Sequence, residues 1–449
     1  MEIPAELIDK YDVAVPRYTS YPTVPLWEND LDEHSWKNNV QKAYREFGDS
    51  EGISLYIHLP YCDSLCTYCG CNKHITKNHD KEIPYLEALR REWDMYLEML
   101  PSRPKLAAIH LGGGTPTFFS AENLQSLIQY ILDSSSVLSQ AKFSFEGHPN
   151  NTTLEHLLAL KEVGFTRVSY GVQDLDHKVQ KAIHRIQPIS KVEEATYHAQ
   201  LAGFQQINYD LIYGLPHQTE ETILNTMEEI RRLMPSRIAF YSYAHVPSVF
   251  QAQKSFEQYL PKKAEKRNLY ETGKAKLTSI GYEEIGMDHF ALPGDELLEA
   301  KQTGRLHRNF MGYTDFSSHI LIGLGSSAIS DVHYAYAQNT KDIELYKEQV
   351  NLRHFSHSKG HNMTLEDIKT RKTIMDLICT GTTDETNVVW RRENMKLLND
   401  LQEDGLITMR NNEITVTPLG TAFIRNICSA FDHRMKNKQS QTFVFSKAI

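Results

Sequence analysis

The sequence predicts an α/β protein: an incomplete (β/α)6 barrel with an N-terminal extension and a C-terminal, mainly helical, winged-helix-like domain. Two observations carry that class. Six short apolar, β-rich runs are each followed by a stretch with apolar residues at helical spacing. Repeated strand–helix alternation implies a parallel sheet with right-handed crossovers. From about residue 360 the alternation gives way to helices, a DGLI turn and a hairpin. A chain of 449 residues suits two or three units, here 1–50, 51–335 and 336–449.

Residues 1–50 are polar, helical in parts, and contain PRYTSYPT from Pro16 to Thr23. The predicted strands are ISLYIHLP (53–60), LAAIHLGGG (106–114), FSFEGHP (143–149), RVSYGVQD (167–174), QINYDLIYGLP (206–216) and RIAFYSYAHVP (237–247). Chemistry gathers at the carboxyl ends of the strands in a parallel barrel. These runs end in a cysteine loop, Gly112–Thr115, Glu146, Gln173, Asp210 and Ala244-His245. On the first strand Tyr56 and His58 are two residues apart and face the same way. GLGSSA, Gly323 to Ala328, fits G-x-G-x-x-A, but no long βαβ unit with a ribose-binding acid follows it, so it reads as a late barrel or linker loop.

Composition narrows the function. A net charge of −9 argues against a general nucleic-acid binder, and the helix facing the wing, RRENMKLLNDLQED, carries as much acid as base. The tail after His433 (Arg434, Lys436, Lys438, Lys447) is too sparsely basic for a nucleic-acid arm. No 18-residue apolar run and no signal peptide are present, which predicts a cytoplasmic chain away from the membrane, with reduced cysteines.

Four of the six cysteines lie within CDSLCTYCGC, Cys62 to Cys71. In a reducing compartment such clusters bind metal or do redox chemistry. A structural zinc site wants a second cysteine pair, and Cys379 and Cys428 sit alone in apolar helical contexts. A thioredoxin-like pair, Cys66 and Cys69, leaves Cys62 unexplained. An iron–sulfur cluster uses thiolates at tight spacing. Cys62, Cys66 and Cys69 would hold three irons and leave the fourth open. Cys71, one residue beyond Cys69, takes another role at the site.

The C-x3-C-x2-C pattern after a strand resembles the radical S-adenosylmethionine (SAM) superfamily. There a 4Fe–4S cluster chelates SAM at its open iron and splits it to a 5′-deoxyadenosyl radical. GGGTPT (Gly112 to Thr117) resembles the loop that binds the SAM amino group. More narrowly, YIHLPYCDSLCTYCGCNKHIT, PRYTSYPT, GVQD, DLIYGLPHQT, YSYAHVP, GMDHFA and LHRNFMGYT together are similar to the oxygen-independent coproporphyrinogen III oxidase family, from about Pro16 to Phe431. That resemblance implies two SAM molecules. One would contact Tyr56, Tyr68, Gly113 and Glu146. The second would lie near Gly114, Thr115, Gln173, Arg185, Asp210 and Ala244. Ile329 would meet adenine through its backbone. It implies catalytic roles for Tyr56, Cys71, Glu146 and Phe310. The substrate, coproporphyrinogen III, would lie over the cluster beneath the N-terminal segment. It would lose two propionates as CO2, leaving vinyl groups, with a still unidentified electron donor and acceptor. A monomer is expected.

Arg17 and Arg308 are suited to substrate carboxylates. Departures from the family pattern are Met311 for Gln, Asp315 in place of Thr, and His148 and Asn150 for an acid and a base. They leave open a paralogue acting on haem itself. A haem-trafficking protein on the same scaffold and a winged-helix regulator with an iron–sulfur sensor are the remaining alternatives.

Overall fold

In the computed structural model, which describes residues 3–29, 31–437 and 445, the six predicted strands are β1 Ile53–Leu59, β2 Lys105–Gly113, β3 Ser136–Gly147, β4 Arg167–Gln173, β5 Gln206–Tyr213 and β6 Arg237–Ser242. They lie side by side in chain order and all run parallel. The right-handed crossovers leave every carboxyl end at one rim. β3 begins seven residues earlier than the apolar run suggests. Its first half, Ser136 to Ala141, mixes apolar and polar residues without strict alternation and is largely exposed, so periodicity alone does not mark it.

The alternation along β4 and β5 shows how the partial barrel differs from a filled one. Val168, Tyr170, Val172, Ile207, Tyr209 and Leu211 are buried in the main apolar cluster. The residues between them, Arg167, Ser169, Gln206, Asn208 and Asp210, line an inner chamber of about 1050 Å³ together with Arg237 and Tyr241. Side chains two apart share a face. The inner face is therefore polar and open, where a complete barrel would be packed with apolar layers.

The sheet is open, and strands extend it at both edges. The segment that reads as a late barrel or linker loop, GLGSSA, begins in a barrel strand at one edge. Leu321–Leu324 is a further parallel strand beside β1, with Tyr56 opposite Gly323. A tight turn returns it as Ile329–Asp331. Glu92, buried in the helix Glu82–Met99, holds this turn by accepting from Gly325 N–H at 2.8 Å, and from Asn339 and Tyr346 at 2.7 Å each. Ala335–Asn339 and His357–Asn362 complete that edge, so the sheet crosses residue 335. At the other edge His289–Ala291 pairs antiparallel with β6, followed by Glu283–Gly286. A separate hairpin, His307–Asn309 with Gly312–Thr314, carries residues that line the inner chamber.

Beyond Asn362 the helices Leu365–Thr380 and Arg392–Glu403, the hairpin Ile407–Arg410/Glu413–Val416 and the strand Thr382–Asp384 build the winged-helix-like unit. Its apolar cluster takes in Tyr18 and Tyr21 from the N-terminal segment and Ile285 and Tyr313 from the barrel side. Of the basic tail, Arg434 donates to Asp367 at 2.5 and 2.7 Å. Lys438 and Lys447 lie outside the described residues. No helix among the described residues is long and apolar enough to cross a membrane.

Candidate active site

The cysteine loop is pinned from three sides. Tyr61–Cys62 pairs with His74–Ile75, and His74 N–H and Thr76 N–H donate to Pro60 and Cys62 carbonyls. Thr67 N–H donates to Ile183 carbonyl at 3.1 Å. The Gln253 side-chain amide donates to the carbonyls of both Tyr68 and Ala244, at 3.2 and 3.3 Å, tying the loop to the end of β6.

His58 connects β1 to the loop. Its Nε2 lies 3.0 Å from the Asn72 carbonyl, which only accepts. That nitrogen therefore carries the proton, and Nδ1 accepts from the Tyr56 hydroxyl at 3.0 Å. Burial holds the ring neutral, below the usual histidine range. Gly113 passes over this ring with φ +114°, and a Cβ there would come within 2.7 Å of it. Only glycine serves at that point.

Cys62, Cys66, Cys69 and Cys71 all line one cleft of about 1110 Å³, with Tyr68, Gly113, Gly114, Thr115, Glu146, Gln173, Arg185 and Asp210. None of the four is in a disulfide. Thr115 Oγ1 donates to Cys62 Sγ at 3.3 Å and Arg185 Nη1 to Cys66 Sγ at 3.5 Å. Burial pushes the Cys62 thiol up to about 11. The Cys71 thiol, by donating to Cys69, lowers Cys69 and is itself raised. Among the described residues no three His, Cys, Asp or Glu side chains converge as they would around a single ion. The donor set instead fits a 4Fe–4S cube, which takes one thiolate per corner.

Other expected residues fall around this cleft. Glu146 accepts from Gly113 N–H at 3.3 Å and lies 3.6 Å from His110 Nε2. Asp210 accepts from Ser169 and Asn208 at 3.0 and 2.9 Å, and burial raises it to about 7. Gln173 ends β4 at φ +67°. Tyr56 stands between His110, stacked at 6.0 Å, and Phe310, edge-on at 4.9 Å. Tyr56, Phe310, Ala244 and Ile329 are not among the residues that line the cleft. Ala244 meets Gln253 through its carbonyl, and Ile329 backs onto Gly323.

The departures are also placed. His148 lines the cleft, held neutral by burial and by Arg185. The Asn150 amide donates to Ile186 carbonyl at 3.0 Å. Met311 lines the inner chamber. Asp315 lies 3.5 Å from Lys142 and 3.8 Å from Arg167. Arg17 is ion-paired to Asp288. Lys73, Tyr241, His110 and Gln253 are contributors that sequence reasoning missed. Lys73 holds the loop locally, donating to the Cys69 and Cys71 carbonyls; the other three owe their places to a distant partner or to an inner-face position on a strand.

Residues 56–230 match the radical SAM superfamily model. The fold and its cysteine loop define a radical SAM enzyme. The chain is 37% identical to oxygen-independent coproporphyrinogen III oxidase of Escherichia coli over 99% of its length and 98% of that protein's. It is 34% identical to the protein of that name from Synechocystis, over 100% and 98%. The solved structure of the Escherichia coli coproporphyrinogen III oxidase, described as a radical SAM enzyme, superposes with a TM-score of 0.88 at 35% identity, covering 96% of this chain and 99% of that one. The chain belongs to the oxygen-independent coproporphyrinogen III oxidase family.

Proposed function

We propose that the enzyme converts two propionate side chains of coproporphyrinogen III to vinyl groups, giving protoporphyrinogen IX, with Cys62, Cys66 and Cys69 holding the cluster and two SAM molecules in the cleft. The observation that carries this reading is that the cysteine-lined cleft and the inner chamber share Glu146, Ser169, Asp210 and Tyr241. A radical made in one space can therefore meet a substrate in the other without crossing solvent. The cluster and SAM supply an electron and a 5′-deoxyadenosyl radical.

Each round removes a hydrogen atom from the propionate β-carbon. The carboxylate leaves as CO2 and one electron passes to an acceptor, so R–CH2–CH2–COO− becomes R–CH=CH2. Glu146 orients the first SAM, together with Gly113 N–H. Tyr56 and Phe310 wall the reacting carbon, and the Cys71 thiol holds a proton beside it. The second SAM lies towards Gly114, Thr115, Gln173, Arg185 and Asp210, which line the cleft. The N-terminal segment, 1–50, covers the substrate.

An anaerobic assay of the reconstituted enzyme with coproporphyrinogen III, SAM and a strong reductant tests the reading. Loss of two CO2 per substrate, with 5′-deoxyadenosine formed, is the expected result. 5′-Deoxyadenosine without decarboxylation would leave the radical chemistry standing and defeat the substrate assignment.

A further inference from the structure

A second cavity, about 860 Å³, lies between the PRYTSYPT segment, the 307–314 hairpin and the helix Leu365–Thr380. Its charges nearly cancel in pairs. Arg371 meets Asp331 at 3.2 Å and Lys372 meets Asp376 at 2.8 Å. His307 and His333 are held neutral by burial and by Arg371, lowered to about 4 and about 3. Arg308 is left over. It is 5% exposed, and two of its guanidinium nitrogens, Nε and Nη1, are buried without a hydrogen-bond partner among the described residues. Its guanidinium carbon lies 4.7 Å from the centre of the Tyr313 ring, with Arg17, Tyr241 and His289 nearby. A buried guanidinium with idle donors costs stability unless an anion completes it. Its planar fork matches a carboxylate.

The hairpin places this cation close to the chemistry. Phe310, two residues on, packs edge-on to Tyr56, and Asn309 lines both the inner chamber and the outer cavity. We propose that this cavity is a carboxylate-binding subsite in which Arg308 holds a propionate arm that is not reacting, while another arm faces the Tyr56–Phe310 wall. The proposal rests on the porphyrinogen reading above and adds to it the anchor that decides which arm is presented.

The test is equilibrium binding of coproporphyrin III, the stable oxidised form of the substrate, and of its tetramethyl ester to the reconstituted holoenzyme. It compares the wild type with Arg308→Gln and Arg308→Lys, with succinate as a free dicarboxylate competitor. Arg308→Gln is expected to weaken coproporphyrin III binding roughly tenfold or more. Arg308→Lys should recover part of that loss, and the ester should bind wild type and variant alike. Because the unliganded cation is a burden, Arg308→Gln should also melt at a higher temperature than wild type without ligand. Equal coproporphyrin affinity in wild type and Arg308→Gln overturns the subsite. So does a succinate-induced rise in melting temperature that the variant lacks, if porphyrin affinity is unchanged, since the cavity would then serve a free dicarboxylate. A wild-type enzyme that binds no porphyrin at all defeats the functional reading itself, and the subsite with it.

Discussion

At the scale of single residues, the division of labour among the four thiols is the most testable feature. Cys62, Cys66 and Cys69 line the cleft with Thr115 and Arg185 donating to two of the sulfurs. Cys71 sits beside Cys69, and its thiol is raised by that neighbour. Cys62→Ser and Cys66→Ser are therefore expected to abolish iron and sulfide incorporation. Cys71→Ser should retain the cluster and lose activity, a contrast that iron analysis beside a turnover assay reads directly. An iron-free Cys71→Ser protein would make Cys71 a ligand. Arg185 gives a subtler prediction. Its N–H to Cys66 and its positive charge both favour the more reduced, more negative cluster. Arg185→Met should shift the midpoint potential of the cluster downwards by tens of millivolts in an anaerobic redox titration. An unchanged potential would assign Arg185 to substrate or SAM alone.

At the scale of elements, the strand His357–Asn362 at the far edge of the sheet carries a histidine whose two ring nitrogens are buried without partners among the described residues. The ring stacks on Phe355 at 5.3 Å and meets Trp36 edge-on at 5.1 Å. Burial pushes His357 down to about 3. The unfolded chain takes up a proton near pH 6.5 and the folded one does not, so the ring's contribution is whole above that pH and is lost as pH falls. Between pH 6.5 and 5 the loss is about 2 kcal/mol. His357→Leu should remove about one proton's worth of the acid slope in urea titrations at several pH values. A slope equal to wild type would mean the ring is protonated in the fold. The parallel strands were legible because each is a short apolar, β-rich run followed by a stretch at helical spacing. The first half of β3 and the strand at Leu321 were not. One is largely exposed and has no clean alternation, and the other hides inside a glycine-rich run that resembles a nucleotide loop.

At the scale of the whole molecule, the stretch from Pro16 to Tyr21 is tied to the C-terminal unit, a relation between residues four hundred apart that no local pattern announces. The site shows the same limit. The cysteine spacing and the strand ends were readable, whereas Gln253 bridging Tyr68 to Ala244, and Arg308 standing idle in an outer cavity, follow only from the docking of distant segments. Tyr18 donates to Asp432 at 3.1 Å, Tyr21 meets His433 at 3.2 Å, and Arg425 donates to Pro16 carbonyl at 3.1 Å. Both tyrosine rings are fully buried in the C-terminal cluster. Removing the two hydroxyls while keeping the rings, as Tyr18→Phe with Tyr21→Phe, leaves the apolar packing and strips the polar ties. Each lost buried hydrogen bond costs about 1–3 kcal/mol. The double variant should therefore keep its barrel and its cluster but loosen residues 16–22, so that trypsin cuts after Arg17 faster than in wild type. If this segment seals the chamber, the same variant forms more 5′-deoxyadenosine per vinyl group made, because the radical is quenched before it meets a propionate. Faster cleavage with unchanged coupling would show that the segment is pinned for stability, and that the hairpin carrying Phe310 closes the chamber without it.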